Sequence, residues 1–498
     1  MSPEDRSPLE ELVHRIAAFI AAARSPALIE PGEEPIALAE GGYAVEVRRG
    51  SVWIEAWSEG RNLVRKAVGW REAPPGVLEL EVEKFGKRRG KVALVDQERP
   101  RGAVAGQRAR REVFREQFRR MVRRQFPGWR LDELTTGADL EHSLSPAYPR
   151  GLLRRGQAAW AAIGAADGSV AGGALSFGIL WLDYLRRRRR LHIEGLAVFV
   201  PEQRAEVTAQ RMRFLDPEAA QWKLFVHANG GREYPVNPAD CGNLESRLEP
   251  AGGSSVFGIE ELEGRLAGID GAEAVALPGG GRSYRVRGLE FGRAVEGVLW
   301  GGVDVKRKIP AARAGELAAL ARELSRRRRP GAPDRQHPYY RRRPEAWLES
   351  RIRGRVDDLD PTLLRSPVYG QVPALEAGDR DVMDLLAVDR DGRLAVIEVK
   401  AAADLHLPLQ ALDYWMRVRR HALRGEFSRR GYFPGLPVRS EAPRLLLVAP
   451  ALEFHPAVET ILGYVSRETP VELIGLAGDW RRRIRVVFRV RGARAGRA

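Results

Sequence analysis

Apolar residues recur at helical spacing over Leu9–Arg24, which predicts an amphipathic helix at the start of the chain. Strand-like runs follow at Tyr43–Val47, Val52–Ala56 and Leu78–Val82, and Lys91–Val95 is placed to pair with Leu78–Val82 across the Gly86–Gly90 turn. A strongly basic helix is expected over Gln107–Gln125, closed by Pro127-Gly128. Trp160–Gly164 reads as a strand and Leu175–Leu185 as a helix. The Asp167-Gly168-Ser169 turn between them argues against a membrane span over Ala158–Leu182. Ile193–Val200 has the pattern of a buried strand and Glu202–Phe214 that of a helix. Residues 228–295 are Gly-rich and read as loops, with Gly279-Gly280-Gly281 a turn rather than a dinucleotide fingerprint. Gly86–Lys91 is not a phosphate-binding loop, because Val92 stands where Ser or Thr would meet magnesium.

The pattern changes near residue 325. After a helical stretch over Ala311–Leu324, Ser325–Pro344 is rich in Arg and Pro and nearly free of aliphatic residues. It reads as a basic linker with some affinity for phosphate. Beyond it, Pro344–Val356 is a helix with Leu348, Ile352 and Val356 as its apolar stripe, and Leu407–Leu423 is a second helix. Strands are expected at Arg444–Ala449, Val471–Ala477 and Arg485–Val490, and a helix at Pro456–Ser466. The resulting order, αββαβαβ(β), is α/β. The expected division is 1–105 as an α+β domain and 106–324 as a central α/β domain, with a subdivision near 228–295 left open. A linker at 325–343 and a C-terminal domain at 344–498 complete it.

Composition narrows the classes. The 498 residues are 44% hydrophobic and 30% charged, which fits a folded globular chain. One cysteine, Cys241, excludes an intrachain disulfide framework and any cysteine-based zinc or iron–sulfur site. No secretory signal is read at the start, and a reducing, cytoplasmic setting is expected. The net charge of +16 invites a polyanion, yet only 8 of the 82 basic residues are Lys. A bias to Arg inflates charge without specifying a partner, so a solvated surface explains the sum equally well.

The candidate chemistry lies in residues 381–400, DVMDLLAVDRDGRLAVIEVK, where two apolar runs flank a turn. With a three-residue loop, Arg390-Asp391-Gly392, paired residues sum to 782 and Asp384 stands opposite Glu398, with Lys400 on the same face. With a two-residue Asp391-Gly392 turn, Asp384 would face Val399 and the charges would separate across the sheet. Ionised groups on otherwise apolar strands are costly unless paired or bound to a cation. Two carboxylates on one face suit an oxygen-loving dication, and a Lys beside them can orient or deprotonate water. A Glu–Lys pair closing an ordinary strand is the plainer reading. Glu345 and Glu349 share one face of the Pro344–Val356 helix, Glu349 being the better placed to join the site. Gln410, Tyr414, Arg417 and His421 form one polar stripe on Leu407–Leu423, either solvated or suited to phosphate and base contacts.

Asp384, then Glu398-Val399-Lys400, then Gln410 and Tyr414 in a QxxxY spacing, resembles the PD-(D/E)XK nuclease superfamily, and its RecB-type branch in the last element. The text of the hairpin is also similar to nuclease domains of some prokaryotic mismatch- and branch-cutting DNA endonucleases. The resemblance covers roughly 340–490, and residues 1–335 resemble no known family. It implies a restriction-endonuclease-like core, a mixed sheet flanked by helices, with phosphodiester hydrolysis dependent on Mg²⁺ or Mn²⁺. It further implies Asp384, Glu398 and the Val399 carbonyl as metal ligands, Lys400 at the attacking water, and Glu349 as the helix acid. Met383 stands where the family has Pro. The expected function is therefore a metal-dependent DNA nuclease, an endonuclease rather than an exonuclease, in repair, recombination or defence. RNA as substrate is not separated by sequence. The alternative is a nuclease-fold binding or assembly module without activity. Where Arg is chosen about nine times in ten, the Lys at 400 is itself informative, since a compact ammonium suits this role and a guanidinium does not.

Overall fold

The structure, a computed structural model, describes the chain except residues 1–6, 32–34, 40–41, 49–50, 59–60, 73–75, 85–87, 189–190, 229–231, 241–246, 252–259, 278–279, 304–305, 311–312, 374–381 and 493–498. Side chains in several flanking positions, among them 382–384, also lie outside the description. The chain is mixed α/β and divides into two compact units. The first holds 1–174, 197–201 and 225–234, and the second 175–196, 202–224 and 235–498.

In the first unit the opening helix runs Pro8–Ala22. Ser7 accepts from the Glu10 amide while the Glu10 carboxylate accepts from the Ser7 amide, a reciprocal cap that fixes the helix start. Leu12, Ile16 and Ile20 fall on one stripe and bury against Val52, Ile54 and Leu80 of a seven-stranded antiparallel sheet. Leu78–Val82 pairs with the following strand as expected, Leu80 opposite Val92 and Val82 opposite Gly90. The tip of that hairpin, 85–87, lies outside the described residues. The basic helix extends over Pro100–Gln125 and turns Phe114, Phe118, Met121 and Val122 inward onto Trp160. Phe199 and Phe225, on the two short segments 197–201 and 225–234, complete this core.

The second unit corrects three expectations. Residues 272–308 are not loops but a five-stranded antiparallel meander, Ala272–Ala276, Arg282–Val286, Leu289–Val295, Val298–Gly301 and Arg307–Lys308. Its glycines mark hairpins. Arg287-Gly288 and Glu296-Gly297 are two-residue turns with positive φ at both positions (46° and 78°, 52° and 74°), the turn whose twist matches paired strands. Gly280 and Gly281 turn the chain between two of these strands, and Gly279 lies outside the described residues.

Second, the stretch expected to be a tethered basic linker is packed. Arg328 is fully buried, and its guanidinium donates to the carbonyls of Arg287, Tyr339, Arg342 and Arg343 at 2.6–3.2 Å. Its face lies over the Trp347 ring, 4.7 Å from the centroid. An Arg in this run therefore closes the meander against the next helix, which charge counting reads as solvated. Third, the helices Ala174–Arg188 and Ala205–Arg213 cluster from Leu175 onward with the C-terminal residues instead of with a central domain. Arg211 forms a bidentate buried pair with Asp413 (2.9 and 2.7 Å), Phe214 packs edge-on against Trp415, and Tyr464 reaches Asp183.

The unit's larger sheet has six strands in the order Tyr369–Pro373, Val382–Val388, Leu394–Val399, Arg444–Pro450, Val471–Leu476, Val486–Arg491. Its two central pairings, Leu394–Val399 to Arg444–Pro450 to Val471–Leu476, are parallel and the others antiparallel. The first strand is missed by sequence because Gly370, Val372 and Pro373 carry no alternating apolar signal. The Pro344–Gly354 helix covers one face, Trp347, Leu348 and Ile352 meeting Leu385, Ile397, Val399 and Val448. The helix Leu407–Leu423 also packs on the strands Leu394–Val399 and Arg444–Pro450 but adds nothing to that cluster, so it covers the opposite face.

A charged network ties the sheet's far end. Arg444 donates to Asp360 and Glu472, and Arg489 joins both carboxylates. Despite burial, hydrogen bonds from Arg444 and Thr362 hold Asp360 down at about 2, and those of Arg444 and Arg489 hold Glu472 below its usual value. Both folded values lie below the unfolded ones, so the network's stabilisation is present above about pH 4 and is lost as pH falls toward 2. Acid titration of the unfolding midpoint should show a fall in that window that the Asp360→Asn variant lacks.

Candidate functional site

The hairpin adopts the three-residue loop. Asp389 and Arg393 close it, the Asp389 amide bonding the Arg393 carbonyl at 2.9 Å. The Asp389 carboxylate accepts from the Asp391 and Arg393 amides, which pre-forms the turn, and Gly392 takes the left-handed bulge position at φ 86°. A Cβ at Gly392 would stand 2.0 Å from the Pro437 carbonyl oxygen. Gly392→Ala is thus expected to cost about 1–3 kcal/mol of left-handed strain plus a backbone clash, read as a lower urea midpoint.

That loop sets the register: Leu385 faces Ile397, Leu386 faces Val396 and Ala387 faces Ala395. The next pair in it is Asp384 with Glu398. Asp384 lies on its strand at that position, and its side chain is outside the described residues. Every residue of Leu394–Val399 is buried, as an apolar strand in mid-sheet requires. Alternation puts Ile397 and Val399 in the cluster under Pro344–Gly354 and Glu398 on the other face.

Glu398 is 4% exposed and its Oε1 lies 3.6 Å from the Lys400 ammonium. Lys400 also meets Asp404 at 3.6 Å. Asp404, in the loop leading to the Leu407–Leu423 helix, is an addition that sequence reasoning missed. Its signal was the four-residue spacing from Lys400, which carries no meaning outside a helix. Asp404 also accepts from the His406 amide, ordering the loop before the helix begins. The group sits at the carboxyl end of a strand with a parallel neighbour, where open α/β sheets leave a crevice for ligands.

The structure does not bring Glu349 to this group. It is buried on the helix that covers the opposite face, where its Oε1 accepts from Arg353 at 2.9 Å and lies 3.8 Å from Arg285. Burial raises its pKa, with the two arginines opposing. The stripe on Leu407–Leu423 is likewise divided. Gln410 and Tyr414 are half-buried near the start of the helix, whereas Arg417 and His421 are buried. His421 is held by Glu426 at 2.6 Å and lies edge-on to Phe427, so the lower half of the stripe is an interior surface.

Among the described residues, no group of three or more His, Cys, Asp or Glu is arranged to hold an ion. The donors expected here, two carboxylates and the Val399 carbonyl, are hard oxygens of the kind magnesium and manganese take, so the donor chemistry fits. Among the described residues no helix is long and apolar enough to cross a membrane. No protein-family model matches the chain, and no curated protein matches it.

Proposed function

We propose that the second unit carries a metal-dependent phosphodiesterase site that cleaves DNA, with Glu398 and Lys400 at its centre. The observation that carries this reading is the hairpin register, which places Asp384 opposite Glu398 and Lys400 two residues on, at the open end of a central strand. The mixed sheet with helices on both faces is the setting that a restriction-endonuclease-like core would supply.

Asp384, Glu398 and the Val399 carbonyl would hold a divalent cation, which when bound supplies positive charge against the phosphoryl oxygens. Lys400 presents its ammonium beside the Glu398 carboxylate, positioned to orient an attacking water or to stabilise charge developing on phosphorus. Asp404 restrains the Lys400 side chain from the other side. Gln410 and Tyr414, on the first turns of the following helix, are placed to steady the substrate backbone. Glu349, Arg417 and His421 take no part in this arrangement.

The test is a panel of supercoiled plasmid, linear duplex, single-stranded DNA, branched DNA and RNA, each incubated with Mg²⁺ or with EDTA. Mg²⁺-dependent nicking of plasmid is the expected result, and a product without new ends would mark endonuclease action. Cleavage confined to RNA removes the DNA assignment, and DNA binding without cleavage of any member favours the inactive binding module.

A further inference from the structure

The second unit contains a cleft of about 540 Å³ between the five-stranded meander and the start of the Pro344–Gly354 helix. Five cationic side chains line it: Arg285, Arg293, Lys306, Arg342 and Arg343. Among its lining residues Glu290 is the one carboxylate, bonded to Arg293 at 2.9 Å and to Lys306 at 3.2 Å. Counting Glu349, 3.8 Å from Arg285, the cleft still holds three positive charges in excess. Arg285 is 1% exposed and Lys306 about two-thirds buried, so this charge is desolvated and not a solvent-facing scatter. Burial and the neighbouring cations Arg293 and Arg343 depress the Lys306 pKa, the response of an ammonium crowded by like charge.

The cleft's shape is built by backbone. Gly288, in its left-handed turn, lies so close to the helix that a Cβ there would stand 1.8 Å from the Ala346 carbonyl oxygen. Arg343 precedes the helix at φ 43° with no side-chain cap, leaving the first amides of an eleven-residue helix toward the cleft wall formed by Ala346. Trp300, 39% exposed, offers the cleft a flat aromatic face.

We propose that this cleft binds the phosphomonoester of a nucleotide, with the phosphate among Lys306, Arg342 and Arg343 and the base against Trp300. Excess desolvated positive charge requires an anion, and the uncapped helix start favours a phosphate. An aromatic face beside a phosphate site selects a nucleotide over inorganic phosphate, because every base stacks. The volume suits a ligand of that size. This also gives Arg342 and Arg343, two of the basic residues of the 325–343 stretch, a defined place. The inference is independent of the cleavage chemistry at Lys400, and its readout is binding.

Two sources share this chemistry, a free nucleotide and a phosphorylated strand end. Calorimetric titration of the full chain, without divalent metal, would use ADP, AMP, adenosine, inorganic phosphate, and a short single strand with either a 5′-phosphate or a 5′-hydroxyl. Preference for ADP or AMP identifies a free nucleotide, and preference for the 5′-phosphorylated strand over the 5′-hydroxyl one identifies a strand end. Either result should weaken about tenfold or more in Lys306→Ala and in Arg343→Gly, each removing a charge-assisted contact. Arg343→Gly also relieves the left-handed backbone, so an unchanged or higher thermal midpoint separates lost binding from lost folding. Trp300→Ala should narrow the gap between AMP and phosphate. The proposal is overturned if no phosphomonoester binds at millimolar concentration, if adenosine binds as well as AMP, or if the cation variants bind like wild type.

Discussion

Glu398→Gln and Lys400→Met should each reduce DNA cleavage by about 10²–10⁴-fold, the range seen when a group acting on the transferred proton or developing charge is removed. DNA affinity should barely change, since neither substitution removes a set of phosphate contacts. The pair is informative together because the two side chains are 3.6 Å apart. If they act as one unit, the double variant cleaves no worse than the poorer single variant. Asp384→Asn should match Glu398→Gln, as the register requires. Glu349→Gln is the counterpart: its carboxylate serves Arg353 and Arg285, so it should shift the unfolding midpoint and leave the pH profile of cleavage in place. A catalytic role for Glu349 would appear as the reverse pattern.

Arg444→Ala should have the largest effect on stability, about 3–5 kcal/mol, because it strands two buried carboxylates, Asp360 and Glu472. The loss is measured as the shift in urea midpoint at constant slope. Adding Asp360→Asn and Glu472→Gln to that variant should restore part of it, since removing a whole buried ionic set costs less than removing one partner. The network sits at the end of the sheet remote from Glu398, with Arg444 paired to Ala395 and Leu447 to Glu398. Under stabilising conditions the variant should therefore retain cleavage.

The parts of this arrangement legible in sequence were those governed by local rules. The period of the apolar positions gave the helix Leu407–Leu423 to the residue. Turn chemistry at Asp389 and Gly392 decided the register, and through it the relation of position 384 to Glu398. Sequence failed where a residue's meaning depended on a distant partner. Arg328, Arg417 and His421 read as surface charge, yet carbonyls, buried helix neighbours and Glu426 enclose them. Arg211 joined Asp413, 202 residues away, and so carried helices expected in a central domain into the C-terminal unit. The Gly-rich stretch misled for another reason: Arg287-Gly288 and Glu296-Gly297 are hairpin turns, but the strands beside them are too short and too polar to show alternation.

The most direct test of the central claim is the metal dependence of supercoiled plasmid cleavage by the purified full chain, compared side by side with Lys400→Met. Conversion to nicked or linear product in Mg²⁺ or Mn²⁺, abolished by EDTA and by Lys400→Met, is the predicted result. Cleavage that persists in EDTA, or that Lys400→Met performs at the wild-type rate, would contradict the account.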